Sequence, residues 1–249
     1  MDVQYFLKRQ LSFIRQFYDI SSAPFIERKR LIEAEEYPFS PPPYYGEDPE
    51  PYFLQEFIEA DESLQVLGCV CVSMLSNVFK IYFKEWDRRI GQPDIKKNIN
   101  LKCEICNKKV IDAKPKDEIT KAFEKGFLNG YRAYFAQFDV NFEDSPSKLE
   151  VLEEIVLVRN KAQHLESITM NTQSYSVHEL KKLRPPFFMD DYTASQFSNA
   201  GEGNQESFEF LAFLEDTSIR VTGEKLFAAI SEMEVFTEWL ENLWNTRDR

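Results

Sequence analysis

Apolar residues recur at helical spacing along most of this chain, and the pattern predicts five helical segments separated by polar stretches. The middle of the second segment, Leu64 to Phe79, is almost continuously apolar or small, which indicates a central helix buried on most sides. The first segment is consistent with one helix, or with two that break at Ser21–Pro24. The five predicted helices cover residues 2–36, 52–90, 117–138, 148–168 and 223–244.

The stretches between these segments predict loops and one small β element. The stretch FSPPPYYGEDPEPY contains five prolines, which remove backbone donors and favour an extended loop. Residues 94–116 are rich in Lys and predict an irregular loop, and residues 171–206 are polar and predict another. Two short runs of β type, Ser207–Leu214 and Ile219–Thr222, flank a turn-forming stretch and predict a β-hairpin.

Composition agrees with a single all-α domain over residues 1–249. The hydrophobic fraction is 43% in 249 residues, enough for a substantial core, and only 8 glycines argue against a β-sandwich, a barrel or a Gly-rich nucleotide loop. We therefore expect a helical bundle with three additions. These are an N-terminal helix with a Pro-rich loop at 1–50, a Cys-containing loop insertion at 92–116, and the small β-hairpin.

The net charge of −12 disfavours a general nucleic-acid coat, which would be basic, but it is compatible with a local cationic pocket. The N-terminal stretch has charges throughout and no apolar run of signal-peptide type. No run of 18 or more apolar residues is present, so the sequence predicts no membrane span and a cytoplasmic protein.

The hexapeptide Arg159–His164 is the strongest chemical signal in the chain. It contains one of only two histidines, a side chain suited to proton transfer near neutral pH, and an Arg suited to binding phosphate. At about 100° per residue, Asn160 and His164 fall on the polar side of the predicted helix, and Glu154 falls there too. Arg159 falls inside the apolar arc, so it must reach along the surface or pair with another group.

Residues Leu152 to His164, LEEIVLVRNKAQH, resemble the signature helix of the HEPN superfamily: Arg, then a polar residue that is very often Asn, a short spacer and His. The order of elements over roughly residues 50–245 is also similar. Glu166 stands where HEPN toxins paired with a nucleotidyltransferase antitoxin have Tyr, which argues against that subgroup. The resemblance implies a HEPN-like helical bundle that forms a homodimer, with the signature helices of two subunits facing each other.

The resemblance also implies a metal-independent endoribonuclease that needs no cofactor. His164 would act as general acid or base, Arg159 would neutralise the phosphate in the transition state, and Asn160 would orient the phosphate or the His ring. Lys161 would add positive charge for binding RNA. The expected products are a 2′,3′-cyclic phosphate and a 5′-OH, and the family setting is a toxin, stress or phage-defence system, with an antitoxin or regulatory partner as a further expectation.

Two other interpretations stay open from sequence. One is a non-catalytic HEPN-like module that binds RNA, nucleotides or a protein. The other is a helical interaction protein in which Arg159 and His164 have structural roles, because helical His and Arg residues are often hydrogen-bonded and inert.

Cys103 and Cys106 form a CxxC pair followed by Asn-Lys-Lys, which resembles half of a zinc ribbon. A structural zinc site normally needs four ligands, and no second CxxC or matching His pair follows. The pair is therefore interpreted either as two free thiols in a surface loop or as half of a zinc site completed by a second subunit. Cys69 and Cys71 lie in the apolar helix and are predicted to be core residues.

Overall fold

The computed structural model describes residues 2–41, 51–90, 118–163, 173–183, 185–200 and 205–247. Within these residues the chain is all-α, as the composition predicts. A short 3₁₀ turn at Phe142–Asp144 precedes the fifth helix. In chain order the helices are α1 Val3–Glu33, α2 Leu54–Ile90, α3 Glu118–Glu124, α4 Phe127–Ala136, α5 Leu149–Gln163, α6 Val177–Leu183, α7 Asp191–Ala200, α8 Gln205–Leu214 and α9 Gly223–Arg247.

The N-terminal segment forms one helix, and the break allowed at Ser21–Pro24 does not occur. The Asp2 carboxylate accepts the Tyr5 backbone N–H at 2.9 Å and caps the start of α1. Pro24 lies inside the helix on its exposed side and costs one backbone hydrogen bond. The long packing contact between α1 and α2 outweighs that loss.

Helix α2 is the centre of the fold, and it packs against α1, α5 and α9. Seven of its side chains are buried in the core, and Cys71 is one of them, while Cys69 is partly buried against it. The segment Leu54–Arg88 has an 18-residue window of mean hydropathy 1.7, so it is long and apolar enough to cross a membrane by length and composition. A buried core helix satisfies the same criterion, and 44% of the window is buried inside the protein. The α2 side chains in this hydrophobic core cluster are Cys71, Val72, Leu75, Phe79, Tyr82, Phe83 and Trp86.

Aromatic rings dominate the core around the C-terminal half of α2. The Phe83 ring stacks on Tyr131 of α4 with 4.4 Å between ring centroids, and it also stacks on Phe142 at 6.0 Å. Trp86 meets Trp244 of α9 edge to face at 5.3 Å. Offset-stacked and edge-to-face geometries are the favourable arrangements for aromatic pairs, so these contacts fix how α4 and α9 sit on α2.

Ion pairs join the outer helices to the same frame. Lys29 of α1 lies 2.5 Å from Asp61 of α2, and Arg220 binds the other oxygen of Asp61 at 2.8 Å. Burial alone would raise the pKa of Asp61, but the hydrogen bonds and charges of Lys29 and Arg220 outweigh it and lower that pKa. Arg15 of α1 pairs with Glu234 of α9 at 2.9 Å. Helix α1 is therefore bound to both of its neighbours.

The structure corrects the predicted β-hairpin. Its first run, Ser207–Leu214, lies within α8, because Phe208, Leu211 and Ala212 have helical spacing and pack inward together. The second run, Ile219–Thr222, begins beside a short backbone pairing with residues 173–174 and not with the first run. The Ile219 N–H bonds to the Gln173 carbonyl at 2.7 Å, and Ser174 and Ser218 form an isolated antiparallel bridge.

Two further predictions differ in detail from the structure. The segment 117–138 divides into α3 and α4 at Gly126, whose φ of 138° is a conformation that glycine adopts most readily. The predicted loop at 171–206 contains α6 and α7. A capping box starts α6, since Ser176 and Glu179 each bind the other's backbone N–H. Most of the Pro-rich loop and the predicted Cys loop lie outside the described residues.

Close approach of backbones at Gly68 predicts a measurable overpacking cost. A Cβ at this buried position of α2 would lie 2.6 Å from the Val221 carbonyl oxygen and 2.7 Å from the Val221 Cβ. We expect Gly68→Ala to lower the free energy of unfolding by about 1–3 kcal/mol, despite the better helix propensity of Ala. Urea denaturation measures this, with Asn77→Ala on the exposed face of α2 as the control. An unchanged or raised stability of Gly68→Ala would contradict the packing described here.

Candidate functional site

Helix α5 presents the hexapeptide at its C-terminal end. Five apolar side chains on one side of the helix are buried in the core, as the predicted apolar arc requires. The Lys148 backbone N–H at its start bonds to the Glu232 carboxylate of α9 at 2.8 Å, which satisfies one of the free donors at a helix N-terminus. These contacts fix the direction in which the end of α5 points. The buried apolar residues are Leu149, Val151, Leu152, Ile155 and Val158.

Glu154 is buried, although helical spacing placed it on the polar side. Glu154 is only 1% exposed to solvent, and its carboxylate accepts three hydrogen bonds. The Tyr175 hydroxyl donates at 2.5 Å, and the backbone N–H groups of Phe187 and Phe188 each donate at 2.7 Å. The prediction failed because the returning segment 173–189 covers this side of α5 and supplies the donors that a buried carboxylate requires.

Burial governs the titration of this pair. Desolvation raises the pKa of Glu154, and the hydrogen bonds from Tyr175, Phe188 and Phe187 and the charge of Lys225 oppose it without cancelling it. Burial also raises the pKa of Tyr175 well above its ordinary value, and the neighbouring carboxylate acts in the same direction. The Tyr175 hydroxyl therefore stays protonated near neutral pH and donates its hydrogen to Glu154.

Arg159 and Asn160 are brought together at the end of the helix. The Arg159 guanidinium donates from Nη1 to the Asn160 Oδ1 at 2.9 Å. Arg159 is partly exposed, and Asn160 is exposed. Among the described residues no carboxylate pairs with this guanidinium, so its charge is not neutralised there. Although Arg159 falls within the apolar arc of α5, its guanidinium reaches the polar side chain of Asn160.

Lys161 makes two contacts that the sequence did not predict. Its Nζ donates to the Ser174 carbonyl oxygen at 2.9 Å and forms an ion pair with Glu179 at 2.9 Å. Burial would raise the pKa of Glu179, but hydrogen bonds from Ser176 and Lys161 outweigh it and lower that pKa. The predicted role of Lys161 as an RNA ligand therefore requires phosphate to compete with a carboxylate already in place.

Three predicted site residues, His164, Cys103 and Cys106, lie outside the described residues. Within the described residues, no cluster of three or more His, Cys, Asp or Glu side chains has the geometry to hold a metal ion. The second histidine, His178, is on the exposed side of α6.

Sequence reasoning missed Glu154, Tyr175 and Glu179. The spacing Ser176-x-x-Glu179 is a capping-box pattern and could have located α6 and its carboxylate. No comparable signal marks Glu154, because its burial depends on a segment about 20 residues further along the chain. Comparisons of this chain with protein-family models, with curated proteins and with solved structures found no match.

The raised pKa of Glu154 predicts a pH-dependent stability difference. The folded protein protonates this carboxyl more readily than the unfolded chain, so the stability it contributes is fully present below its ordinary pKa of 4.5 and is lost as pH rises through the folded-state pKa. We expect the free energy of unfolding of wild type minus that of Glu154→Gln to fall as pH rises from 4.5 towards neutrality.

Urea denaturation followed by far-ultraviolet circular dichroism measures this difference at a series of pH values. Glu150→Gln, on the exposed face of the same helix, supplies the baseline for losing one carboxylate. A difference for Glu154→Gln that stays constant, or that grows with pH, would show that burial does not dominate this group.

Proposed function

We propose that this protein is a HEPN-type, metal-independent endoribonuclease, and the hydrogen-bonded Arg159–Asn160 pair near the C-terminal end of α5 carries the proposal. An arginine whose charge is not neutralised by a described carboxylate is suited to bind a phosphate. The Asn160 amide holds that guanidinium in one orientation, which lowers the entropy lost when a phosphate binds.

The proposed chemistry assigns a different task to each side chain. His164 exchanges a proton with the ribose 2′-OH or with the leaving oxygen, as general base or general acid. Arg159 stabilises the charge that builds on the phosphate as the 2′-oxygen attacks. The bond from phosphorus to the 5′-oxygen breaks, which leaves a 2′,3′-cyclic phosphate and a 5′-OH. Asn160 orients the Arg159 guanidinium through the 2.9 Å hydrogen bond.

A second copy of α5 is part of the proposal. One helix offers a single Arg159 within a protein of net charge −12, which is a weak attractor for RNA. Two signature helices that face each other in a homodimer would place two guanidinium groups in one cleft. The expected setting remains that of a cytoplasmic toxin or phage-defence protein controlled by a regulatory partner.

The second candidate is a HEPN-like module that binds RNA or nucleotides without cleaving them. The contacts of Lys161 favour it, because the pairing with Glu179 and the Ser174 carbonyl removes one of the cations expected to act on the substrate. A phosphate could still bind at Arg159 and Asn160, with no contribution from Lys161.

RNA cleavage without metal separates these two functions. Purified protein is incubated with single-stranded RNA in excess EDTA, beside Arg159→Ala and His164→Ala, and products are analysed for cyclic phosphate ends. We expect cleavage by the wild type and a loss of at least about 100-fold in each variant, the scale of general acid–base and charge-stabilising contributions.

Arg88→Ala, which removes a highly exposed arginine near the C-terminal end of α2, is the matched control and should retain activity. Binding of RNA by the wild type without cleavage would favour the binding module. If the wild type neither binds nor cleaves RNA, although it and the variants are stably folded, both proposed functions are contradicted.

Mixing two inactive variants tests the shared site. If each site takes Arg159 from one subunit and His164 from the other, mixed dimers of Arg159→Ala and His164→Ala contain one intact site. We expect refolded mixtures to recover part of the wild-type cleavage rate, while each variant refolded alone stays inactive. A mixture as inactive as its components, together with a confirmed mixed dimer by mass spectrometry, would exclude a shared site.

A further inference from the structure

Glu154 and Lys161 lie on one face of α5, seven residues and two helical turns apart, which is about 10 Å along the helix axis. Both bind the segment that returns along this face. Glu154 accepts the Tyr175 hydroxyl, and Lys161 donates to the Ser174 carbonyl oxygen and pairs with Glu179. We call these three contacts the α5 clamp.

A continuous series of hydrogen bonds and peptide units connects the clamp to Arg159, the residue proposed to bind phosphate. Tyr175 is held by Glu154 and follows Ser174 in the chain. The Ser174 carbonyl holds Lys161, which follows Asn160, and the Asn160 amide holds the Arg159 guanidinium. Each link is either a hydrogen bond of 2.9 Å or shorter or a single peptide unit. Chains of packed and hydrogen-bonded groups of this kind can carry a change at one end to the other.

Burial differs between the two ends of this chain of contacts. Glu154 and Tyr175 are buried at 1% and 4% exposure, and further donors from Phe187 and Phe188 fix the carboxylate. Arg159 is partly exposed and has one described hydrogen bond from its guanidinium, the one to Asn160. Buried, hydrogen-bonded residues such as Glu154 and Tyr175 can hold a partly exposed functional group such as the Arg159 guanidinium in a fixed orientation.

We infer that Tyr175 and Glu154 are positioning residues for Arg159, and that Lys161 acts as the link between them rather than as a ligand of RNA. This inference rests on the proposed endoribonuclease function. It assigns to the Tyr175 hydroxyl a part in the reaction that is transmitted to Arg159 through Ser174, Lys161 and Asn160.

Tyr175→Phe removes one hydroxyl and tests the buried end. We expect kcat for RNA cleavage to fall roughly 10-fold with KM unchanged, the low end of what the loss of a supporting hydrogen bond costs. Tyr82→Phe is the matched control, because the Tyr82 hydroxyl is also buried and bonds to the Thr237 carbonyl, away from the clamp. It should lower stability without changing kcat.

Lys161→Gln tests the link itself. A positioning role predicts a fall in kcat with KM unchanged, while a direct contact to RNA phosphate predicts a rise in KM. Because both changes interrupt one chain of contacts, the double variant Tyr175→Phe/Lys161→Gln should lose little more than either single variant. A rise in KM for Lys161→Gln, or additive losses in the double variant, would overturn the inference.

A measurement without RNA keeps this inference separate from the proposed function. In ¹⁵N-labelled protein we expect Tyr175→Phe to shift the Nε–H signal of Arg159 and the side-chain amide signal of Asn160, while Tyr82→Phe leaves both in place. Unmoved Arg159 and Asn160 signals in a folded Tyr175→Phe protein would overturn the inference. If the signals move but wild-type protein cleaves no RNA, the clamp stands and the endoribonuclease proposal fails.

Discussion

The second half of this fold depends on the burial of one carboxylate. Glu154 accepts donors from two separate stretches of chain, the Tyr175 hydroxyl on one side and the backbone at Phe187 and Phe188 on the other. Each of these donors would cost roughly 1–3 kcal/mol if it were buried without a partner. The segment from 173 to 189 can therefore lie against α5 only where Glu154 can accept all three, and this fixes its register along the helix.

Long amphipathic helices were predictable because their apolar spacing directly encodes which face is buried. The pattern locates α1, α2, α9 and the start of α5 to within a few residues, and the predicted end of the fourth helical segment at residue 168 lies outside the described residues. The segment Ser207–Leu214 was not predictable from pattern, since its apolar residues contain both an alternating set (208, 210, 212 and 214) and a set at helical spacing (208, 211 and 212). Tertiary packing decides between them, and Phe208 packing against Phe197 of α7, with ring centroids 5.2 Å apart, favours the helix.

The candidate site was predictable where it depends on neighbours along the helix, and not where it depends on the returning chain. The pairing of Arg159 with Asn160 follows from their adjacency once Arg159 has to leave the apolar arc. The engagement of Lys161 with Ser174 and Glu179 does not follow from any spacing within α5. An exposed lysine and a paired lysine have the same sequence signature, so only the fold distinguishes a free cation from a neutralised one.

The placement of the tryptophans has a consequence for how this molecule can be observed. Trp86 meets Trp244 at the junction of α2 and α9, and Trp239 of the same helix packs against Phe236. The chain has three tryptophans, and the segment from 173 to 189 contains none. Tryptophan fluorescence therefore reports on the aromatic core and does not report directly on detachment of that segment from α5. A fluorescence signal that looks native is compatible with an opened clamp, so the two halves of the molecule need separate spectroscopic probes.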